Sequence, residues 1–203
     1  MGNTRIDLAR RLNDLAPNGR GVEVGVFMGQ YSREILEVWG GTLYMVDVWR
    51  PLGEEYKDYS NMENHSEAYS ATMREIKGME DRGVMIRSTS KIASEIFPDE
   101  SLDFVYIDAN HAYDFVKEDI GLWYPKVKKG GILSGHDYIA MEWYGDPYFM
   151  PNGKDKEIYT EGGNRYHGVF GVNTAVDEFC KEYGYKMNVT EELFGSWWIK
   201  KYK

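Results

Sequence analysis

Apolar positions along the chain follow two alternating rhythms. Ile6, Leu8, Ala9, Leu12 and Leu15 recur at helical spacing, and Pro17, Asn18 and Gly19 end that run. A short apolar strand is predicted over 22–26, then a helix over 32–39 that Gly40 and Gly41 terminate. Residues 43–48 form a second strand, apolar along most of its length, as a parallel strand covered on both faces should be. A polar, aromatic stretch fills 50–66, a helix is predicted over 67–77 and a third strand over 84–86. A fourth strand over 102–107 leads into a helix over 113–124 that stops at Pro125, and a fifth strand covers 131–134. The chain finishes with a helix over 172–183 and strands over 185–189 and 196–199. Residues 139–168 show no period, and a loop of that length is usually a functional lid or a disordered stretch.

Strands alternating with helices predict parallel βαβ units. The expected fold is α/β, a Rossmann-like three-layer sandwich with a seven-stranded, mostly parallel sheet and helices on both faces. No repeat or linker divides the 203 residues, so a single domain over 1–203 is expected. Ligands of such sheets bind outside the carboxyl ends of the strands, which is where the chemistry should lie.

Charge narrows the partners. There are 33 acidic against 24 basic side chains, a net charge of −9, and such a surface repels phosphate backbones, so no nucleic-acid partner is expected. No apolar run approaches the roughly 18 residues of a membrane span. The first residues lack an apolar signal core, and Cys180 is the only cysteine, so a reducing, cytoplasmic location is expected. Ala175, Val176 and Phe179 put Cys180 on a buried helix face, as a core residue rather than a nucleophile.

The first strand ends Glu23-Val-Gly25-Val-Phe27-Met-Gly29. Gly25 and Gly29 let the chain turn sharply and approach a ligand. Phe27 stands where a dinucleotide fingerprint needs its second glycine, which argues against an NAD- or FAD-dependent oxidoreductase. An acid followed by spaced glycines suits the amino-acid end of S-adenosylmethionine (SAM). Asp47 closes the second strand, where a carboxylate can accept both ribose hydroxyls or simply cap the next loop. Trp49 could lie against the adenine or belong to the core, and the hydroxyls of Ser88, Thr89 and Ser90 could reach the adenine amine. The fourth strand ends Asp108-Ala-Asn-His111 and the fifth Gly135-His136-Asp137. Adjacent parallel strands would gather Asp108, His111, His136 and Asp137, a set able to hold Mg²⁺ or Mn²⁺ and to take a proton from a hydroxyl. Because these groups have a use together, a non-catalytic binding module is disfavoured.

Glu23-x-Gly25-x-x-x-Gly29, Asp47, Asp108-x-x-His111-x-Tyr113 and Lys129-Gly-Gly-Ile-Leu-Ser-Gly-His-Asp-Tyr138 resemble class I SAM-dependent methyltransferases. More narrowly they resemble the group that includes macrolide- and aminocoumarin-sugar O-methyltransferases, over about 20–138 and again over 171–179. The resemblance implies transfer of a methyl group to a hydroxyl of a small molecule or glycan, a sugar favoured and a phenol the alternative. It implies His111 as general base with Asp108 beside the reacting oxygen, and metal ligation by Asp108 and Asp137. His136 stands where the first acid of the metal-binding pair is expected, and is taken as the third ligand. Thr89 stands where many members carry an Asp near the adenine. Trp49, Tyr56, Tyr59, Trp143, Tyr144, Tyr148 and Phe149 could wall an acceptor, or form the contact of a homo-oligomer.

Overall fold

Side chains alternate along the inner strands and sort the core onto two faces of one sheet. The computed structural model describes residues 3–50, 65–139, 157–159, 165–167, 171–192 and 194–203. The chain runs α1 (Arg5–Leu15), β1 (Arg20–Val24), α2 (Gln30–Val38), β2 (Thr42–Asp47), α3 (His65–Glu75), β3 (Gly83–Arg87) and α4 (Ser90–Ser94). It continues through β4 (Leu102–Ile107), α5 (Tyr113–Trp123), β5 (Val127–Ile139), β6 (Glu157–Tyr159) and β7 (Arg165–His167). Then come α6 (Val172–Tyr183), β8 (Asn188–Val189) and β9 (Phe194–Lys200).

The sheet has seven strands in the order β3-β2-β1-β4-β5-β9-β8. The first five are mutually parallel, while β9 runs antiparallel to both β5 and β8. Val22, Val24, Val105, Ile107 and Leu133 face one way, against apolar residues of α4, α5 and α6. Leu43, Met45, Phe104 and Tyr106 face the other way, against α1, α2 and α3. Each of these fully buried side chains contributes on the order of 1.5–3 kcal/mol relative to exposure. The expected three-layer sandwich is therefore the observed one.

The winding direction reverses between β1 and β4, since β1 leads outward to β2 and β3 while β4 lies on its other side. A ligand crevice opens at such a point because the loops following the two strands diverge to opposite faces. Cys180 is buried on α6 and burial pushes its thiol up to about 11, so it is a core residue.

Several boundaries differ from the periodicity. The short helix α4 was not expected; Thr89 caps it, its hydroxyl accepting from the Ile92 backbone N–H. β5 is far longer than 131–134, because its pairing with β9 resumes past an irregularity between Gly135 and Tyr138. The β6–β7 hairpin falls inside the stretch read as a loop. The aromatic residues Tyr56, Tyr59, Trp143, Tyr144, Tyr148 and Phe149 lie outside the described residues. Among the described residues no helix is long and apolar enough to cross a membrane.

Candidate active site

The loop after β1 is built around a close approach of two backbones. Gly25 has φ +87°, and a Cβ placed there would stand 2.0 Å from the carbonyl oxygen of Asp108. Only glycine fits where the β1 and β4 loops touch. Asp47, at the end of β2, fastens the same loop. Its Oδ2 accepts from the backbone N–H groups of Val26 and Phe27, both at 2.9 Å, and its Oδ1 accepts from that of Trp49 at 2.9 Å. The Trp49 indole N–H donates back to the Phe27 carbonyl at 2.9 Å. Trp49 is otherwise core, buried edge-on against Tyr69. Asp47 thus caps both loops, and only Oδ1 keeps a free lone pair for a ribose hydroxyl among the described residues.

Glu23 points from β1 into the buried interior, where its carboxylate accepts from the Ser32 hydroxyl. Burial pushes its pKa up to about 8, so near neutrality it is mostly the uncharged acid. At the far side, Ser90 is committed as well: its hydroxyl donates to Asp119 and accepts from the Trp123 indole N–H at 2.8 Å.

The β4 and β5 ends bring together all four expected groups. His111 Nε2 lies 2.7 Å from Asp137 Oδ2 and 4.0 Å from Asp108 Oδ1. His136 Nδ1 lies 3.2 Å from Asp137 Oδ1 and 3.9 Å from Asp108 Oδ1. Asp137 has φ +60°, a left-handed conformation at the irregularity in β5 that turns its carboxylate between the two imidazoles. Burial acts to raise Asp137, but the hydrogen bonds from His111 and His136 prevail and hold it well below the ordinary carboxylate range. Burial raises Asp108, with the His136 charge opposing. Burial acts to lower His136, but its bond to Asp137 and the charge of Asp108 leave it raised. The position of the His111 loop is itself fixed: Gly171 N–H, at the start of α6, donates to the His111 carbonyl at 2.8 Å. Tyr138 is tied to the same helix through its hydroxyl, which donates to Asp177 at 2.9 Å.

A cavity of about 880 Å³ joins these parts, at the upper end of the range of small-molecule sites (~300–1,000 Å³). Glu23, Gly25, Phe27, Asp47, Trp49, Ser90, Asp108 and His111 line it, whereas Gly29, His136 and Asp137 do not. Among the described residues, Asp108, His111 and Asp137 form the group able to hold a metal ion, their ligand atoms all within 4.8 Å of one another. His111 thus joins the expected carboxylates as a candidate ligand, with His136 Nδ1 beside them at 3.2 Å from Asp137 Oδ1 and 3.9 Å from Asp108 Oδ1.

A family model for the methyltransferase domain matches residues 22–138, from β1 to the end of this cluster. The chain belongs to that family. The fold recurs in a Staphylococcus aureus structure assigned as a caffeoyl-CoA O-methyltransferase, with TM-score 0.62 and 15% identity over 97% of this chain and 82% of that one. An O-methyltransferase family protein from Burkholderia thailandensis gives TM-score 0.66 and 14% identity, over 98% of this chain and 55% of that one. An rRNA methylase from Streptococcus thermophilus gives TM-score 0.57 and 11% identity, over 98% of this chain and 95% of that one. At these identities the likeness is one of fold. No curated protein matches the sequence.

The methyltransferase uses SAM, and its residues fit that ligand. The glycine-framed crevice, the Asp47 carboxylate and a cavity of sufficient size meet at one end of the sheet. Among the wall residues that escaped the sequence reading are Arg5 and Asp119. Arg5 of α1 reaches the cavity, its guanidinium 3.5 Å from Glu34 and 4.8 Å from the centre of the Tyr31 ring. Nothing in its local sequence marks it. Asp119 of α5 also lines the cavity, and its signal was readable: an acid beside the apolar stripe of Val116, Ile120 and Trp123.

Proposed function

We propose that this methyltransferase transfers the SAM methyl group to a hydroxyl of a small molecule or glycan, a sugar-type hydroxyl favoured, with a divalent ion assisting. The observation that carries this reading is the convergence of Asp108, His111 and Asp137 at the cavity's end beside the glycine loop. In the reaction the acceptor oxygen attacks the methyl carbon, the carbon–sulfur bond breaks, and the hydroxyl proton leaves to a base. His111 faces the cavity and takes that proton, while Asp137 orients the ring and stabilises the charge it gains. Asp108 adds a second negative group beside it. Alignment of the reacting atoms supplies much of the rate, because the sulfonium is already activated.

The two carboxylates and one imidazole also suit a divalent cation, Mn²⁺ better than Mg²⁺ because of the nitrogen donor. Held by Asp108, His111 and Asp137, such an ion would lower the pKa of the acceptor hydroxyl. Nε2 donates to Asp137, so the acceptor's proton is taken at Nδ1, whereas an ion shared with the two carboxylates would take Nε2 itself and displace that hydrogen bond. His136, behind Asp137 and away from the cavity, keeps that carboxylate ionised and oriented.

An RNA acceptor is disfavoured, since the chain's net charge of −9 opposes a polyanion. The test is incubation with methyl-labelled SAM and a panel of sugar, phenol and amine acceptors. A labelled methyl ether on a sugar hydroxyl is expected. Label only on nitrogen overturns the O-methyl reading, and label only on phenols overturns the sugar preference.

A further inference from the structure

We infer that Asp119 recognises the base of the cofactor by accepting a hydrogen bond from the 6-amino group of adenine. The inference rests on the SAM reading and on where that base must lie. The strand order β3-β2-β1-β4 places Asp108, after β4, and Ser90, after β3, three strand spacings apart, about 14 Å. With the reacting centre at Asp108 and a ribose at Asp47, the base falls at the β3 end of the cavity. Asp119 stands there, only 6% exposed, on the cavity wall with Phe115 and Leu122.

The polar groups at that end are few, and most are spent. The Thr89 hydroxyl caps α4. The Ser90 hydroxyl gives its proton to Asp119 Oδ1 and accepts from Trp123. Asp119 Oδ2 has no hydrogen-bond partner among the described residues. With Oδ1 held by Ser90, Oδ2 is the acceptor that an entering donor can reach from the cavity. Burial already pushes this carboxyl up to about 7, the behaviour of a group lacking its full set of donors. An amino group bonded to a flat apolar ring supplies the missing donor, and Phe115 and Leu122 supply apolar surface for the ring. Ser90 is then a positioning residue: it orients the carboxyl instead of touching the base.

The test is calorimetric binding of S-adenosyl-L-homocysteine and its 6-oxo counterpart, S-inosyl-L-homocysteine. The unmodified protein should prefer the 6-amino ligand by about 10-fold or more, as loss of a hydrogen bond to a charged group implies. Asp119→Asn, whose amide can donate to a 6-oxo group, should collapse or reverse that ratio. Ser90→Ala should lower it part-way, and this variant decides the matter if Asp119→Asn does not fold. Equal affinity of the unmodified protein for the two ligands overturns the inference, as does a ratio that neither variant moves. Absence of binding by either ligand overturns the SAM reading, and this inference with it.

Discussion

His111 lies in the loop after β4 and Asp137 within β5, yet His111 Nε2 stands 2.7 Å from Asp137 Oδ2. The contact depends on the left-handed backbone at Asp137, which redirects a side chain that a regular strand would present elsewhere. In the proposed reaction the two residues act together on the acceptor's proton.

Replacing His111 by alanine should lower kcat by roughly 10²–10⁴-fold, the usual contribution of a general base. Affinity for S-adenosyl-L-homocysteine should stay within a few-fold of normal. Turnover and calorimetric binding on the same preparation check this. Normal turnover by a folded variant would reduce His111 to a loop contact.

Chelation separates the two uses of His111. Treatment with EDTA should lower turnover, and Mn²⁺ should restore it more fully than Mg²⁺. Asp108→Asn and Asp137→Asn should each weaken Mn²⁺ binding, measured by titration calorimetry. Unchanged turnover after exhaustive chelation would leave the whole proton transfer to the His111–Asp137 pair.

Asp47→Ala should do more than remove a ribose partner. Three backbone N–H groups lose their acceptor, at a cost of about 1–3 kcal/mol for each that stays buried and unsatisfied. The melting temperature should fall together with SAM affinity. Loss of affinity at an unchanged melting temperature would mean that the loops do not depend on this cap.

Glu23 makes stability depend on pH. Its folded pKa, about 8, lies above the ordinary 4.5, so the folded state keeps a proton that the unfolded chain releases. The stabilisation is complete below about pH 4.5 and is lost as the pH rises through about 8, a change on the order of a few kcal/mol. Asp119, raised to about 7, acts in the same direction. Glu23→Gln should flatten the fall of melting temperature between pH 5 and 8. An unaltered slope would exclude Glu23 as its source.

Much of the fold was legible because periodicity records burial. The alternation at Phe104 and Val105 and the apolar stripes of α5 and α6 carry the layer on which each residue sits. Site residues were legible where they close a strand, as Glu23, Asp47 and Asp108 do. The pairing of imidazoles with carboxylates was not, since it turns on one backbone angle at Asp137 that no local pattern encodes. Nor was the full engagement of Asp47 and Ser90, since Val26 and Phe27 come from the loop after β1 and Asp119 and Trp123 from α5. Arg5 enters the cavity only through the packing of α1, which periodicity orients but does not place.

The anchoring of α6 has an evolutionary consequence. β5 ends at Ile139, shortly after Asp137, and α6 follows Gly171, whose N–H holds the His111 carbonyl. A Cβ at Gly171 would stand 2.3 Å from the Tyr113 Cα, so that junction tolerates only glycine. With both flanks fixed beside His111 and Asp137, a change in the sequence between them should leave the contact of these two residues in place. Variation between two fixed clamps need not rebuild the site, much as a cassette is swapped in its holder.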